Sequence, residues 1–359
     1  MKIGIFDPYL DDLGGGEKYM MTIAECLAKD HNVNVFWDHK EDIIKLQRRF
    51  LFDLSSVSII KNVFSPKINP LKRLLVTRNF DAIFILSDGS IPLVSSKKLL
   101  VHFQQPMEHL HSVSLKTKLK LLRVTSIFCN SYFTKSFIDK TFSVNSKVLY
   151  PPVALYPKKT KKENIILNVG RLRVKNVTKA GIPIGNYKKQ DFMIDVFKKM
   201  VGGGLKNWKF IFAISVQKND KKAFESLKRK AQGFPIEFVV NKNNKELWDF
   251  YNRAKIYWHA SGFGENLEKH PEYAEHFGIS TVEAMGAGAV PVVIAAGGQK
   301  EIVEDSEDGF LWNTEKELIQ YTEKLVGDQE LLSKMSEEAV KRSKRFSGNR
   351  FCQEVKDLL

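Results

Sequence analysis

The chain has 359 residues, 43% hydrophobic and 27% charged, so it reads as globular, with length for two domains of ordinary size and ample core. Lys plus Arg number 56 against 41 Asp plus Glu, a formal net charge of +15, yet no finger spacing, RNP-like aromatic box or long basic arm directs that surplus to nucleic acid. No run approaches the roughly 18 apolar residues that span a bilayer, which leaves an anionic membrane surface as the partner the charge favours.

Met1 to Phe6 enter a strand directly, and no signal peptide is visible. The three cysteines, Cys26, Cys129 and Cys352, form an odd and widely spaced set. That pattern speaks against a disulfide framework and against a zinc site, and it points to a reducing, cytoplasmic setting. Strand-length apolar runs follow at Lys2 to Phe6, Val33 to Trp37, Ala82 to Leu86, Leu99 to Phe103, Ser126 to Asn130 and Lys147 to Tyr150. Such buried runs separated by helical segments predict an α/β fold, with a parallel sheet covered on both faces. Glu17 to Asp30 carries Met20, Ile23, Ala24 and Leu27 on one helical face. Between the first strand and that helix lies Asp12-Leu13-Gly14-Gly15-Gly16-Glu17. A strand–glycine loop–helix junction is where open α/β sheets take ligands, although the spacing is neither the dinucleotide fingerprint nor a Walker A loop.

His102 stands at the carboxyl end of its strand, ahead of Phe103-Gln104-Gln105-Pro106; His109 and His111 read as loop residues. From Ser112 to Thr125, Leu115, Leu119 and Leu122 recur at helical spacing beside Lys116, Lys118, Lys120 and Arg123. Two readings stay open there: an interfacial helix resting on anionic lipid, or a surface helix whose leucine stripe is buried. Asn130-Ser131 precedes a helix that Ser131 is suited to cap. Tyr150-Pro151-Pro152 and the proline- and lysine-rich stretch after it mark the domain boundary, with an N-terminal domain at 1–152, a linker at 153–163 and a C-terminal domain at 164–345. Two α/β domains on a short linker predict a cleft, a favoured ligand site.

The alternation restarts at Asn164 to Val169, with further strands at Lys209 to Ile214, Ile236 to Val240, Ile256 to His259, Ala289 to Ile294 and Phe310 to Trp312. Glu246 to Ala254 and the residues from Glu315 onward read as helical. His259 is open to two roles, a ligand contact or a buried structural histidine. The stretch from Trp258 to Val293 reads as strand, polar loop, glycine turn, helix start and strand. Gly278-Ile279-Ser280-Thr281 opens a helix whose free N–H groups suit a phosphate. Glu283 then falls about a turn and a half into that helix, placed for ribose hydroxyls, and Glu275 precedes it.

Glu275-His276-Phe277-Gly278 with Glu283-Ala284-Met285 resembles the E-x7-E signature of retaining GT-B glycosyltransferases of family GT4, and the flanking residues resemble its Alg11-type mannosyltransferase branch. The resemblance covers nearly the whole chain. It implies two Rossmann-like domains with parallel sheets facing a central cleft, and a last helix, 346–359, that crosses back to the N-terminal domain. It implies transfer of a hexose from a nucleotide diphosphate sugar, with GDP-mannose favoured, to a glycan or lipid-linked acceptor. UDP-glucose and UDP-N-acetylglucosamine enzymes share the same motifs, and an idle nucleotide- or glycan-binding protein on the same fold is the reading from another class. Neither a cofactor nor a metal is implied. By the same resemblance Gly15 and Gly16 face donor phosphates and acceptor, while His102 and Glu275 serve the reacting sugar. Phe277, Gly278 and Ile279 would offer backbone N–H groups and Glu283 would hold the ribose. Asn168-Val169-Gly170-Arg171 and Lys189-Gln190-Asp191 resemble the cation pair that holds the diphosphate. The segment 173–187 looks inserted between them, so Lys175 and Lys188 are alternatives to Lys189. Where relatives carry His-Tyr-Pro, this chain has Phe103-Gln104-Gln105-Pro106.

Overall fold

In the computed structural model every residue is described except Leu13 and those at 108–113, 173–175, 178–182 and 185–187; within 173–187 only the backbone of the two short strands is described. The chain divides into two units, Met1–Pro152 with Gly348–Leu359, and Val153–Ser347.

The first unit runs β1 (Lys2–Phe6), α1 (Gly15–Ala28), β2 (Asn32–Phe36), α2 (Lys40–Phe50), β3 (Val57–Ile60), α3 (Pro70–Thr77), β4 (Ala82–Leu86), β5 (Lys98–Phe103), α4 (Leu115–Leu121), β6 (Ser126–Cys129), α5 (Tyr132–Phe142) and β7 (Lys147–Val148). Its seven strands lie in the order β3-β2-β1-β4-β5-β6-β7 and pair in parallel throughout. Alternation along β4 explains the two-faced core. Ala82, Phe84 and Leu86 pack with Ile3, Ile5, Met20 and Ile23, whereas Ile83 and Ile85 pack with Leu99, Val101 and Ile138 on the opposite face. Ser131 caps α5 as its position suggests, its hydroxyl accepting from Thr134 N at 3.0 Å.

The second unit runs β8 (Glu163–Arg171), the short antiparallel pair β9 (Asn176–Val177) and β10 (Pro183–Ile184), α6 (Gln190–Gly202), β11 (Lys209–Ser215), α7 (Lys221–Ala231), β12 (Ile236–Val240), α8 (Asn244–Arg253), β13 (Ala254–His259), α9 (Ile279–Gly286), β14 (Val290–Ile294), α10 (Gln299–Ile302), β15 (Phe310–Trp312), α11 (Glu315–Gly327) and α12 (Gln329–Ser343). Its six-stranded parallel sheet has the order β12-β11-β8-β13-β14-β15. One core face gathers Phe197, Phe210, Phe212, Trp258, Val292 and Trp312.

The last helix, α13 (Gly348–Lys356), belongs to the first unit: Phe351 and Val355 join its core, and the Arg350 guanidinium donates to Tyr150 O at 2.7 Å. One expectation is corrected here and one of two open readings is removed. Cys26 on α1 and Cys352 on α13 form a disulfide, with Cα atoms 5.2 Å apart and a sequence separation of 326. Spacing along the chain cannot reveal a pair that only the docking of α13 on α1 brings together, and the argument for a reducing setting loses its cysteine support. The leucine stripe of α4 is also not buried: Leu115, Leu119 and Leu122 are all exposed.

Candidate active site

A doubly wound sheet opens a crevice where its winding reverses, at the carboxyl ends of the two strands on either side. In the second unit those strands are β8 and β13. The first ends at Arg171 and the second at His259, so the topology alone places this cation and this imidazole at one switch point. The Arg171 carbonyl accepts from Gln190 Nε2 at 3.2 Å, and its guanidinium has no hydrogen-bond or ion-pair partner among the described residues.

Glu275 is drawn to the same place. Its Oε2 accepts from Lys188 Nζ at 2.7 Å and lies 3.1 Å from His259 Nε2, which is also 3.2 Å from Ser261 Oγ. Desolvation alone would raise the pKa of this carboxyl. The Lys188 ammonium and then the His259 contacts outweigh it and hold the group well below the usual carboxylate range. Burial pushes the pKa of His259 down despite its contact with Glu275, and an Nε2–H on this ring would donate to the carboxylate. The result is a carboxylate that stays charged and fixed in direction.

The backbone after Glu275 is locked from beneath. Gly298 N donates to Glu275 O at 2.8 Å, and a β-carbon on Gly298 would lie 2.4 Å from Phe277 Cα. Phe277 is buried against Phe346 with ring centroids 5.4 Å apart. Gly278 has φ +122°, a region L side chains rarely adopt, and turns the chain into α9. Thr281 and Val282 donate to Gly278 O, which leaves the N–H groups of Ile279 and Ser280 ahead of the first intrahelical bond. Tyr251 of α8 donates its hydroxyl to Glu283 Oε2 at 2.9 Å, and Tyr257 of β13 donates to Ser280 Oγ at 2.8 Å. The arrangement is thus a fixed carboxylate, a helix N-terminus and a second carboxylate in the order carried by the sequence.

The two adjacent lysines have different carboxylate partners. Lys189, which caps α6 with a left-handed φ of 55°, ion-pairs with Glu265, whereas its neighbour Lys188 reaches Glu275. Lys175 lies outside the described residues, as do His109 and His111. Sequence reasoning missed the Lys188–Glu275 pair, Ser261 and the Tyr251 contact. His259, for which two roles were open, is a buried ring in contact with Glu275.

In the first unit Gly15 and Gly16 form the first residues of α1, and the Glu17 carboxylate accepts from Gly14 N at 2.5 Å. Gln104 packs on this turn, since a β-carbon on Gly16 would come within 2.7 Å of its Oε1. His102 is fully buried between Tyr19 and Phe128, with ring centroids 4.1 and 4.8 Å away, and its Nδ1 is 3.1 Å from Phe128 O. Burial depresses its pKa to about 3, so the ring is neutral, and its Nε2 has no partner among the described residues. Among the described residues no group of three or more His, Cys, Asp or Glu is placed to hold a metal ion, and no helix is long and apolar enough to cross a membrane.

Residues 156–342, just over half of the chain, match the family model described as Glycosyl transferases group 1. A curated relative from Dictyostelium discoideum, named GDP-Man:Man(3)GlcNAc(2)-PP-Dol alpha-1,2-mannosyltransferase, is 30% identical over 129 residues, which are 34% of this chain and 23% of that protein. This chain therefore spans about a quarter of that relative. A second, an alpha-1,4-N-acetyl-D-galactosaminyltransferase of Campylobacter jejuni acting on an undecaprenol-linked glycan by its name, is 23% identical over 96% of this chain and 94% of its own. Among solved structures, HepE of Anabaena in complex with UDP superposes with a TM-score of 0.72 at 16% identity, covering 99% of each chain. That likeness shows the fold, two parallel-sheet α/β domains of the GT-B type.

Proposed function

The chain belongs to the Glycosyl transferases group 1 family, and from that premise we propose that it is a retaining GT4 hexosyltransferase using a nucleotide diphosphate sugar. One observation carries the reading: the Glu275 carboxylate, kept ionised by Lys188 and oriented by His259, directly precedes the Gly278 turn into α9. A donor's diphosphate suits the N-terminus of α9, its ribose suits Glu283, and its sugar then falls toward Glu275. Phe277, Gly278 and Ile279 contribute backbone N–H groups there. Arg171, with Lys188 or Lys189, opposes the charge that builds on the departing diphosphate, so no metal is needed. His102, Gly15 and Gly16 are assigned to sugar and phosphate contacts on the family resemblance alone.

In the reaction the bond from the anomeric carbon to the phosphate oxygen breaks through an oxocarbenium-like state, and the acceptor oxygen bonds to the same carbon on the same face. The acceptor proton passes to the departing phosphate oxygen. Glu275 stabilises the positive sugar by charge, which fits a carboxylate that cannot protonate near neutrality.

GDP-mannose is the favoured donor, supported by the mannosyltransferase relative and the 258–293 residues. A UDP-sugar donor is the second reading, supported by a relative that matches almost end to end and by UDP in a structural neighbour. Both relatives' names include a polyprenyl diphosphate carrier, which supports a lipid-linked glycan acceptor and peripheral contact with an anionic membrane face. The test is turnover of GDP-mannose, UDP-glucose and UDP-N-acetylglucosamine by the parent and by Glu275→Ala, with nuclear magnetic resonance of the product anomer. Loss of transfer in a folded variant, with an α-linked product from an α-linked donor, supports the reading. Normal turnover by the variant, or an inverted product, overturns it.

A further inference from the structure

Two short helices of the first unit break the rule that buries large apolar side chains. On α3, Leu71 and Leu75 are 67% and 68% exposed; on α4, Leu115, Leu119 and Leu122 are 74%, 60% and 82% exposed. Spacings of four and seven put the α4 leucines on one side of that helix, and a spacing of four does the same on α3. Scattered exposed leucines need no explanation, but a row of them on each of two helices that pack on one core cluster does.

The helices are neighbours. Val76 of α3 and Leu121 of α4, with Val124 after it, pack on the same core cluster as Leu99 and Val101. At their carboxyl ends Thr77 Oγ1 accepts from Ser95 N at 3.0 Å, and Arg123 donates to Ser96 O at 3.2 Å, so both are tied to one connecting segment. Residues 70–78 and 114–125 together hold seven Lys or Arg and no Asp or Glu. Lys116, Lys118 and Arg123 are exposed among the leucines. Desolvation, then Lys116 and Arg73, hold the Lys120 ammonium below the usual lysine range, so these cations repel one another, and neither helical segment holds a carboxylate to offset them.

We propose that the α3–α4 face is a docking surface for an anionic lipid bilayer, with Leu71, Leu75, Leu115, Leu119 and Leu122 entering the headgroup–acyl boundary and the interleaved cations meeting lipid phosphates. The inference rests on the peripheral-membrane reading above and names the surface that performs it. Charge complementarity selects this occupant. An apolar partner alone would leave the mutual repulsion of Arg73, Lys116 and Lys120 in place, whereas a sheet of anionic headgroups relieves it while the leucines leave water. The basic residues each add attraction that salt screens, and the leucines add a part that it does not.

The experiment is sedimentation of the full chain with vesicles of equimolar phosphatidylglycerol and phosphatidylcholine, and with phosphatidylcholine alone. Two variants are compared, Leu115→Glu/Leu119→Glu/Leu122→Glu and Leu71→Glu/Leu75→Glu. All five side chains are exposed, so the fold is expected to survive, and calorimetric nucleoside diphosphate binding checks that it does. The parent is expected to bind the anionic vesicles and not the neutral ones, and each variant to lose about tenfold or more in partitioning with unchanged nucleotide affinity. Vesicle binding that ignores both variants overturns the proposal, as does a parent that binds neither vesicle. Conversion of a parent dimer to monomers by the same substitutions, without vesicle binding, overturns it in favour of self-association. Leucine-dependent vesicle binding by a chain that takes no nucleotide keeps the docking face and removes the donor reading.

Discussion

Replacing Lys188 by methionine removes the ammonium 2.7 Å from Glu275 while keeping most of the side chain's volume. Both side chains are about a fifth exposed, 19% and 22%, so screening by solvent is modest. At an effective dielectric of about 20 the attraction at this separation is about 6 kcal/mol, and desolvation offsets a large part of it. Removing one partner of such a pair costs about 3–5 kcal/mol, because the other charge stays behind unpaired. The sign with pH follows from the causes. In the parent the depressed pKa of Glu275 contributes stability that is present above its unfolded value near 4.5 and lost as pH falls through the folded value. In Lys188→Met the desolvation is opposed only by His259, so the folded pKa rises from its parent value and the carboxyl's contribution to stability shrinks. The gap in thermal midpoint between parent and variant is therefore wide from about pH 5 to pH 8 and closes only as pH falls well below 4, through the parent's folded value. Turnover of the variant falls about a hundredfold at neutral pH and declines further on acidification, as Glu275 protonates. Differential scanning fluorimetry across that range, with donor turnover alongside, measures both. A gap in midpoint that does not change with pH, or full turnover, refutes the coupling.

Gly278→Ala forces a β-carbon to within 2.7 Å of Gln299 Nε2 at a φ of +122°, which costs about 1–3 kcal/mol and weakens nucleoside diphosphate binding; denaturant unfolding and calorimetry read the two effects. Asp7 is buried at the end of β1, with its carboxyl pushed up to about 8 by desolvation and then by Glu17. Its contribution to stability is full below 3.8 and is lost as pH rises toward 8, so Asp7→Asn should flatten the decline in stability between those values, by an amount on the order of a few kcal/mol. Cys26→Ser removes the disulfide to Cys352 and should lower unfolding stability by about 2–4 kcal/mol, with dithiothreitol lowering the parent to the same midpoint and leaving the variant unchanged.

The strands of both sheets were readable because each is a short apolar run between turn residues, and the phosphate-suited turn because Gly278 and its helix are contiguous in sequence. The exceptions have physical causes. β3, Val57–Ile60, is not legible because it is a four-residue strand whose apolar run is broken by Ser58. The exposure of the α4 leucines could not be read from periodicity, which reports a shared face and not what covers it. Lys188 and Lys189 are adjacent, and the sequence does not say that one side chain goes to Glu275 and the other, from a left-handed backbone, to Glu265. Tyr251 meets Glu283 across 32 positions, and Cys26 meets Cys352 across 326, which no local pattern encodes.

The most direct test is calorimetric titration of the full chain with GDP and UDP, in the parent and in Arg171→Ala and Glu283→Ala. The parent is expected to bind a nucleoside diphosphate, GDP ahead of UDP, and each variant to bind it about tenfold to a hundredfold more weakly while remaining folded. A preference for UDP would move the donor and leave the site in place. A parent that binds neither nucleotide, or variants that bind as tightly as the parent, would contradict a donor site built on Arg171, α9 and Glu283.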